Sequence, residues 1–227
     1  VGSVGRDYFI AMEYVHGEDL RSIVGQMRKK AFKSFPREMA LGISRGLLKG
    51  LSYAHDHKGL DGEPLNIVHR DISPQNTIVT FQGEVKIVDF GIASAALQEM
   101  SSESKSEKGA LRGKFPYMSP EQCRGRDLDR RSDLFSVAIM LFELTTGRRL
   151  FKGKNEMETL RKIVELPYPR PSDHRKDYPE DLENIVMKGL SREPEGRYQD
   201  AREMLEEVEE YIRNHQLKVS ALDMSKF

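Results

Sequence analysis

The sequence has no tryptophan, a single cysteine and no excess of charge of either sign. Its 227 residues include 36 basic (Lys and Arg) and 36 acidic (Asp and Glu) side chains. One cysteine excludes an internal disulfide framework and favours a reducing, cytoplasmic compartment. Zero net charge argues against a dedicated nucleic-acid binder, which usually has a basic excess. No apolar run approaches the roughly 18 residues needed to span a bilayer, and the first residues do not resemble a signal peptide. We therefore expect neither a secreted nor a membrane-spanning chain.

The length suits one large domain or two small ones, with enough apolar residues to form a core without disulfide or metal cross-links. The sequence begins at Val1, without an initiator methionine, shortly before an apolar run at residues 8–15. Glycines bound this run, which predicts a buried strand. We expect the chain to be a piece of a longer protein.

Helical periodicity dominates the rest of the sequence. A helix with a basic end is predicted from Leu20 to about Lys30. Strands near 77–81 and 84–88, joined by Gln82-Gly83, predict a β-hairpin. The other predicted elements are apolar helices over 40–54, 136–144, 182–190 and 201–212, and a mobile loop over 96–112.

Three short motifs occur in order along the chain. They are His69-Arg70-Asp71 followed by Asn76, Asp89-Phe90-Gly91, and Ser119-Pro120-Glu121. With a hairpin between the first two, this set resembles the catalytic loop, metal-binding segment and Pro-Glu anchor of the protein kinase family. The resemblance extends over residues 8–214.

The resemblance implies an α+β, protein-kinase-like fold: a mostly helical C-terminal lobe with a short β-hairpin and a remnant strand of the N-terminal lobe. It divides the chain into a remnant of the N-terminal lobe with the hinge at 1–15, the C-terminal lobe at 16–214 and a tail at 215–227. It also implies a phosphotransferase that uses ATP and Mg²⁺ to modify a protein substrate.

The site residues follow from the same resemblance. Asp71 is expected to orient the acceptor hydroxyl and take its proton, a general-base role worth about 10²–10⁴-fold in rate. Asn76 and Asp89 are expected to bind Mg²⁺, since amide and carboxylate oxygens are hard donors that suit this hard cation.

The segment around Met12-Glu13-Tyr14-Val15 resembles the hinge that contacts adenine. Main-chain groups of Glu13 and Val15 would hydrogen-bond the base, with Met12 at the back of the pocket. Ile78 would lie beneath the adenine, and Asp19 would reach the ribose. The alternative is that the hinge is an ordinary buried strand and Asp19 a solvated acid.

Other matches imply structural roles. Glu121 resembles the carboxylate that pairs with a late arginine, here Arg197. Asp133 resembles the acid that accepts main-chain N–H groups of the catalytic loop. Such buried charges need partners, because their desolvation is otherwise costly. His69 and Phe90 are expected to be packing residues.

The sequence departs from the pattern of serine/threonine kinases at two positions. Ser73 stands where these enzymes typically have a lysine, and Lys114 follows Gly113 where they typically have a threonine. We hypothesise that Lys114 supplies the catalytic cation that Ser73 cannot. The alternative is a solvated Lys114. Such variants resemble a bacterial branch of the serine/threonine kinases with Ser-Pro-Gln-Asn in this loop.

Before the hinge there is no glycine-rich loop, strand lysine or helix glutamate of the kinase type, and the first lysine is Lys29. We therefore expect the missing N-terminal lobe to come from the same parent chain, and the 227 residues alone to be inactive. Ser73-Pro74-Gln75-Asn76 favours serine or threonine as the acceptor. The alternative function is a non-catalytic, kinase-like binding scaffold.

Overall fold

A computed structural model describes residues 2–4, 7–9, 12–30, 35–90 and 115–225. Gly91, Lys114 and the loop predicted over 96–112 lie outside the described residues.

Strands form two small antiparallel sheets. The first pairs β1 with β2, and the second has the order β3-β4-β5. The strands are β1 (Gly2–Val4), β2 (Asp7–Phe9), β3 (Gly17–Asp19), β4 (Thr77–Thr80) and β5 (Val85–Ile87).

Helices make up most of the described chain. They are α1 (Leu20–Lys29), α2 (Arg37–His55), α3 (Pro120–Cys123), α4 (Arg130–Thr146), α5 (Glu156–Val164), α6 (Pro171–His174), α7 (Glu180–Gly189), α8 (Ala201–Asn214) and α9 (Ala221–Ser225). Short 3₁₀ turns at Phe115–Tyr117 and Pro194–Gly196 complete the set. Among these helices none is both long and apolar enough to cross a membrane.

Helix α4 is the centre of the core. It is apolar on all sides, as predicted, and 14 of its 17 residues are buried. The Asp129 side chain caps its first turn, and Gly147, with φ 71°, ends it in the left-handed region. Helices α2, α7 and α8 pack around α4, so the lobe is held together by helix–helix contacts.

Helix α2 also supports the hairpin of β4 and β5. The predicted apolar stripe from Ala40 to Ala54 is buried in the core. A second stripe of glycines, Gly42, Gly46 and Gly50, follows at intervals of four, so these residues share one face of the helix. A Cβ atom on Gly46 would lie 2.5 Å from Cβ of Val85. The missing side chain therefore lets β5 approach the helix closely.

This contact predicts that Gly46→Ala lowers the free energy of unfolding by about 1–2 kcal/mol. Overpacking against Val85, whose Cβ is fixed to the strand, outweighs a gain of up to about 1 kcal/mol in helix propensity. Gly25→Ala in α1 is the matched control: nothing lies within 4 Å of a Cβ there, so it should stabilise the fold. Urea denaturation of both variants measures the difference. Equal stabilisation by the two alanines would contradict the close contact.

The prediction of a buried strand over residues 8–15 is correct only in placing a strand at Tyr8 and Phe9, and it is wrong for residues 12–15. Strand β2 ends at Phe9, while Met12 and Tyr14 are 68% and 85% exposed. The polar segment Gly17–Asp19 forms a strand instead, because it pairs with Thr80–Ile78 of the hairpin. Available main-chain partners, rather than apolar side chains, decide which residues of this segment are extended.

The segment after residue 214, predicted to be a tail, packs against α2. Met224 of α9 is buried over Gly42, and an Arg45 guanidinium nitrogen donates to the Val219 carbonyl oxygen. These contacts connect the end of the described chain to the core. The predicted division of the chain into a hinge remnant, a lobe and a tail stays a prediction.

Candidate active site

Asp133, in the first turn of α4, holds the loop that begins at His69. Its carboxylate oxygens accept the main-chain N–H groups of His69 at 2.9 Å and of Arg70 at 2.8 Å. The predicted role of Asp133 is thereby confirmed. Arg70 has φ 66°, a left-handed conformation that is costly for a residue with a side chain. The two hydrogen bonds hold the loop in this conformation.

His55, the last residue of α2, is a partner of Asp133 that the sequence analysis missed. Its Nε2 lies 2.9 Å from Oδ2 of Asp133, and both side chains are 1% exposed. Arg130 donates to the His55 carbonyl oxygen at 3.2 Å. A single histidine at a helix end has no distinctive sequence pattern, so only the packing of α2 against α4 reveals this contact.

His69 is a packing residue, as predicted. Its Nδ1 accepts the main-chain N–H of Asp71 at 3.2 Å, and its Nε2 lies 3.0 Å from the Val88 carbonyl oxygen. The carbonyl can only accept, so Nε2 must carry the ring proton. The ring also lies against Phe90, with centroids 4.7 Å apart. His69 thus ties the catalytic loop to the segment that carries Asp89.

Asp71 and Asn76 contact each other directly. The amide nitrogen of Asn76 donates to Oδ2 of Asp71 at 2.7 Å and to the Asp71 carbonyl oxygen at 2.8 Å. Both partners are acceptors, so the orientation of the amide is fixed by its hydrogen bonds. The Asn76 side-chain oxygen therefore faces away from Asp71 and has no hydrogen-bond partner among the described residues.

The hairpin brings Asp89 to Asn76. Asn76 immediately precedes β4 and Asp89 follows β5, so antiparallel pairing places both at the open end of the hairpin. The main-chain N–H of Val88 donates to the Asn76 carbonyl oxygen at 3.0 Å. Asp89 has φ 58°, and its side chain is exposed.

The donor set at this end of the hairpin fits Mg²⁺. Within the described ranges, no group of three or more His, Cys, Asp or Glu side chains could hold a metal ion. Among the described residues, the donors predicted for the ion are the Asp89 carboxylate and the Asn76 amide oxygen, both at this end of the hairpin. Mg²⁺ typically binds one or two carboxylates and completes its octahedron with water and substrate phosphates.

The predicted hinge residues lie beside the hairpin. Glu13 pairs with Lys86 of β5 at 2.5 Å, a hydrogen bond that raises the pKa of the Lys86 ammonium group. No described residue hydrogen-bonds the main-chain groups of Glu13 or Val15, and a contact of these groups with adenine stays a prediction. Met12, predicted at the back of a pocket, is largely exposed.

Asp19 and Ile78 occupy opposed positions of the β3–β4 ladder. The Asp19 carboxylate caps α1, accepting the Ser22 N–H at 2.9 Å and the Ser22 hydroxyl at 2.7 Å. The cap explains Asp19 structurally, and the spacing of Asp19 and Ser22 could have predicted it. A ribose contact for Asp19, and an adenine contact for Ile78, stay predictions.

Ser73 is buried, and its hydroxyl has no hydrogen-bond partner among the described residues. Its carbonyl oxygen accepts the Asn76 N–H at 3.1 Å and the Thr77 hydroxyl at 2.9 Å, which closes the loop into a turn. Compensation of Ser73 by Lys114 stays a prediction.

The predicted pair of Glu121 and Arg197 is confirmed. Two nitrogens of the Arg197 guanidinium contact the two carboxylate oxygens of Glu121 at 2.7 and 2.8 Å. Nearby, Gln122 donates to the Arg70 carbonyl oxygen at 2.7 Å, a contact that the sequence analysis missed. The Pro-Glu anchor therefore contacts the catalytic loop through Gln122.

A helical lobe with a paired Asp and Asn, a nearby carboxylate at a hairpin end and a buried Glu–Arg anchor defines the large lobe of a protein kinase. The family model described as "Protein kinase domain" matches residues 4–208. The chain belongs to this family.

Bacterial proteins are among its relatives. "Tyrosine-protein kinase MasK" of Myxococcus xanthus is 36% identical over 221 residues, which is 97% of this chain and 33% of that protein. "Serine/threonine-protein kinase PknB" of Mycobacterium leprae is 36% identical over 206 residues, 89% of this chain and 30% of that protein. "Serine/threonine-protein kinase PrkC" of Bacillus subtilis is 33% identical over 200 residues, which is 87% of this chain and 28% of that protein. The chain spans about a third of the length of these relatives.

Proposed function

We propose that these residues form the catalytic lobe of an ATP-dependent serine/threonine protein kinase. The observation that carries this proposal is the convergence of Asp71, Asn76 and Asp89 at one end of the hairpin. Two sequence segments meet there: the loop with Asp71 and Asn76, and the segment with Asp89. Each carries oxygen atoms suited to phosphoryl transfer. A purely scaffolding protein has no evident need for this arrangement.

In the proposed reaction, Asp71 accepts the proton of a protein hydroxyl while that oxygen bonds to the γ-phosphorus of ATP and ADP leaves. The hydrogen bond from Asn76 to Oδ2 of Asp71 holds this carboxylate in one orientation. Mg²⁺, held by Asn76 and Asp89, would neutralise charge on the phosphates. Main-chain groups of Glu13 and Val15 would bind adenine.

Serine or threonine is the proposed acceptor, because Ser73-Pro74-Gln75-Asn76 lacks the Ala/Arg pattern typical of tyrosine kinases. The Myxococcus xanthus relative, which is 36% identical to this chain, is named a tyrosine-protein kinase. Tyrosine is therefore the alternative acceptor. A second candidate function is a binding scaffold. The scaffold predicts that no phosphate transfer depends on the three convergent residues.

The test is transfer of labelled phosphate from Mg-ATP by the complete gene product that contains these residues. Peptides differing only in a Ser, Thr or Tyr acceptor should show transfer to Ser and Thr, confirmed by analysis of the phosphorylated amino acid. The 227 residues alone should transfer negligibly, because they contain no glycine-rich loop or lysine before the hinge. Transfer to tyrosine alone would overturn the acceptor assignment, and no transfer to any peptide would favour the scaffold.

A further inference from the structure

Positive charge is concentrated on α1, although the chain as a whole has no net charge. The eleven residues from Leu20 to Lys30 include Arg21, Arg28, Lys29 and Lys30 and no acid. All four side chains are exposed, and none has an ion-pair partner among the described residues. Several other exposed cations of the described chain are paired with acids, for example Arg161 with Glu165.

Helix stability explains only part of this concentration. Arg28 and Lys29 lie in the last turn of α1, where cations complement the helix dipole. Arg21 lies in the first turn, where a cation is unfavourable and where acids are usually found. The first turn of α1 therefore carries a charge that does not help to form the helix.

Two of these cations line a groove of about 530 Å³ between α1 and the catalytic loop. The polar residues of α1 that face it follow helical spacing: Arg21, Ser22, Gly25, Gln26 and Lys29. The opposite face of α1 is apolar and packs on the core through Leu20 and Met27. Asp19 is the single acid in the groove lining, and both its oxygens are already bonded to Ser22.

The groove adjoins the candidate active site. The main-chain N–H of Arg21 donates to the Pro74 carbonyl oxygen at 3.1 Å, which joins α1 to the catalytic loop. Gln75 completes the groove lining and directly precedes Asn76, the partner of Asp71. A polypeptide whose hydroxyl reaches Asp71 would therefore pass this groove.

We propose that the groove binds acidic residues that flank the acceptor hydroxyl of the protein substrate, with Arg21 and Lys29 as the specificity-determining cations. This inference rests on the proposed kinase function. Lys29 follows Arg21 by eight helical positions, a distance of about 12 Å along the axis. An extended polypeptide covers that distance in about four residues. Two acids about four positions apart are thus the matching pattern.

A polypeptide suits the groove better than an anionic membrane surface. Ser22, Gln26 and Gln75 offer side-chain donors and acceptors beside the cations, which an extended main chain can use. A flat bilayer would contact protruding surfaces, and its binding would not require the groove to lie beside the catalytic loop. Binding to anionic lipid is therefore an outcome that the test must separate.

The test measures binding of fluorescent peptides to the complete gene product by anisotropy. One peptide set has a single serine and two glutamates four residues apart, placed before or after the serine, and a matched set has glutamine instead. We expect one acidic peptide to bind about five- to tenfold more tightly than its neutral match, and the difference to shrink with salt. Arg21→Gln with Lys29→Gln should abolish it.

The matched control is Arg148→Gln with Lys176→Gln, two exposed cations that have no ion-pair partner among the described residues. Arg148 lies just beyond the end of α4 opposite Asp133, about 20 Å from the catalytic loop along the helix. This control should bind both peptide sets as the unchanged protein does. Thermal melting of all variants checks that each is folded.

Kinetics distinguish the failure of this inference from the failure of the proposed function. The α1 variant should raise KM for the acidic peptide and leave kcat, and transfer to the neutral peptide, unchanged. Equal KM values for acidic and neutral peptides would contradict the proposed binding of acidic residues by the groove, but not the proposed kinase function. Charge-dependent binding without transfer to any peptide would support the groove and overturn the kinase. Loss of binding to phosphatidylserine vesicles, with peptide binding unchanged, would overturn the peptide groove in favour of a membrane surface.

Discussion

Replacement of Asp71 by asparagine should lower kcat for phosphate transfer by about 10²–10⁴-fold in the complete gene product. The amide cannot accept the proton of the incoming hydroxyl, so the acceptor oxygen must attack without a base. The effect should appear in kcat more than in KM, because positioning of ATP by the hinge and Mg²⁺ does not depend on the Asp71 proton acceptor.

The substitution should leave the fold almost unchanged. Asparagine has nearly the same shape as aspartate, and its side-chain oxygen can still accept the Asn76 amide hydrogen that Oδ2 of Asp71 accepts at 2.7 Å. The main-chain contacts of residue 71 to His69 and Asn76 do not involve the side chain. We expect the free energy of unfolding to change by no more than about 1 kcal/mol.

Asp127→Asn is the control, since it makes the same chemical change at an exposed acid. It should leave both kcat and stability as they are. Steady-state kinetics with a serine peptide and urea denaturation give the two readouts. A kcat within about tenfold of the unchanged enzyme in Asp71→Asn would contradict the general-base role. A loss of activity that follows unfolding would contradict it as well.

Much of the fold could be predicted from the sequence because its signals are local. The apolar stripe of α2, the largely buried α4 and the hairpin at Gln82-Gly83 each follow from spacing or turn residues within a short window. Gly83, with φ 83°, occupies the turn that this glycine predicted. Local patterns thus account for the elements that hold the candidate site.

Contacts between distant segments required either a family resemblance or the structure. Resemblance predicted that Asp133 would hold the loop at His69, 64 positions away. No pattern pointed to His55 as a further partner of Asp133, or to Gln122 as a donor to Arg70. These contacts arise from how α2, α3 and the catalytic loop meet around α4, which spacing along the chain does not encode.

Apolar composition was misleading at residues 8–15. Such a run has strand propensity, but strands also need a neighbour whose main-chain groups can pair with them. Strand β2 pairs with β1 over only three residues, and the next pairing with the hairpin begins at Gly17. The polar β3 is extended because β4 lies beside it.

The largest stability effect is expected at Arg197, whose guanidinium is fully buried. All five of its N–H groups have partners. Besides Glu121, these partners are the carbonyl oxygens of Ser191 at 2.7 Å, Arg131 at 3.2 Å and Arg192 at 2.8 Å. The guanidinium carbon also lies 4.7 Å from the centroid of the Phe135 ring. One side chain therefore holds together α3, α4 and the segment after α7.

Arg197→Met should lower the free energy of unfolding by about 3–5 kcal/mol, because it leaves the Glu121 carboxylate buried without its cation. Arg161→Met is the control. Its ion pair with Glu165 is exposed on both sides, so its loss should change stability by no more than about 0.5 kcal/mol. Urea denaturation at pH 7 measures both. Similar losses of unfolding free energy in the two variants would contradict the proposed contribution of the buried Glu121–Arg197 pair to stability.

The pH profile of stability identifies Glu121 as the group responsible. Burial alone would raise the pKa of Glu121, but the hydrogen bonds and charge of Arg197, with a further hydrogen bond from Ser132, lower it to about 2.

A folded-state pKa below the ordinary value of 4.5 means that the stabilisation from the ionised Glu121 is complete above about pH 5. It is lost as the pH falls from 4.5 toward 2, by about 3 kcal/mol in total. In Arg197→Met burial and the Ser132 hydrogen bond remain without the cation, so the pKa of Glu121 should rise and this group should cost less stability than in the unchanged protein as the pH falls. The urea denaturation midpoints of the unchanged protein and Arg197→Met should therefore become more similar as the pH falls from 7 to 3. A constant difference between the two midpoints over this range would show that Glu121 and Arg197 are not coupled.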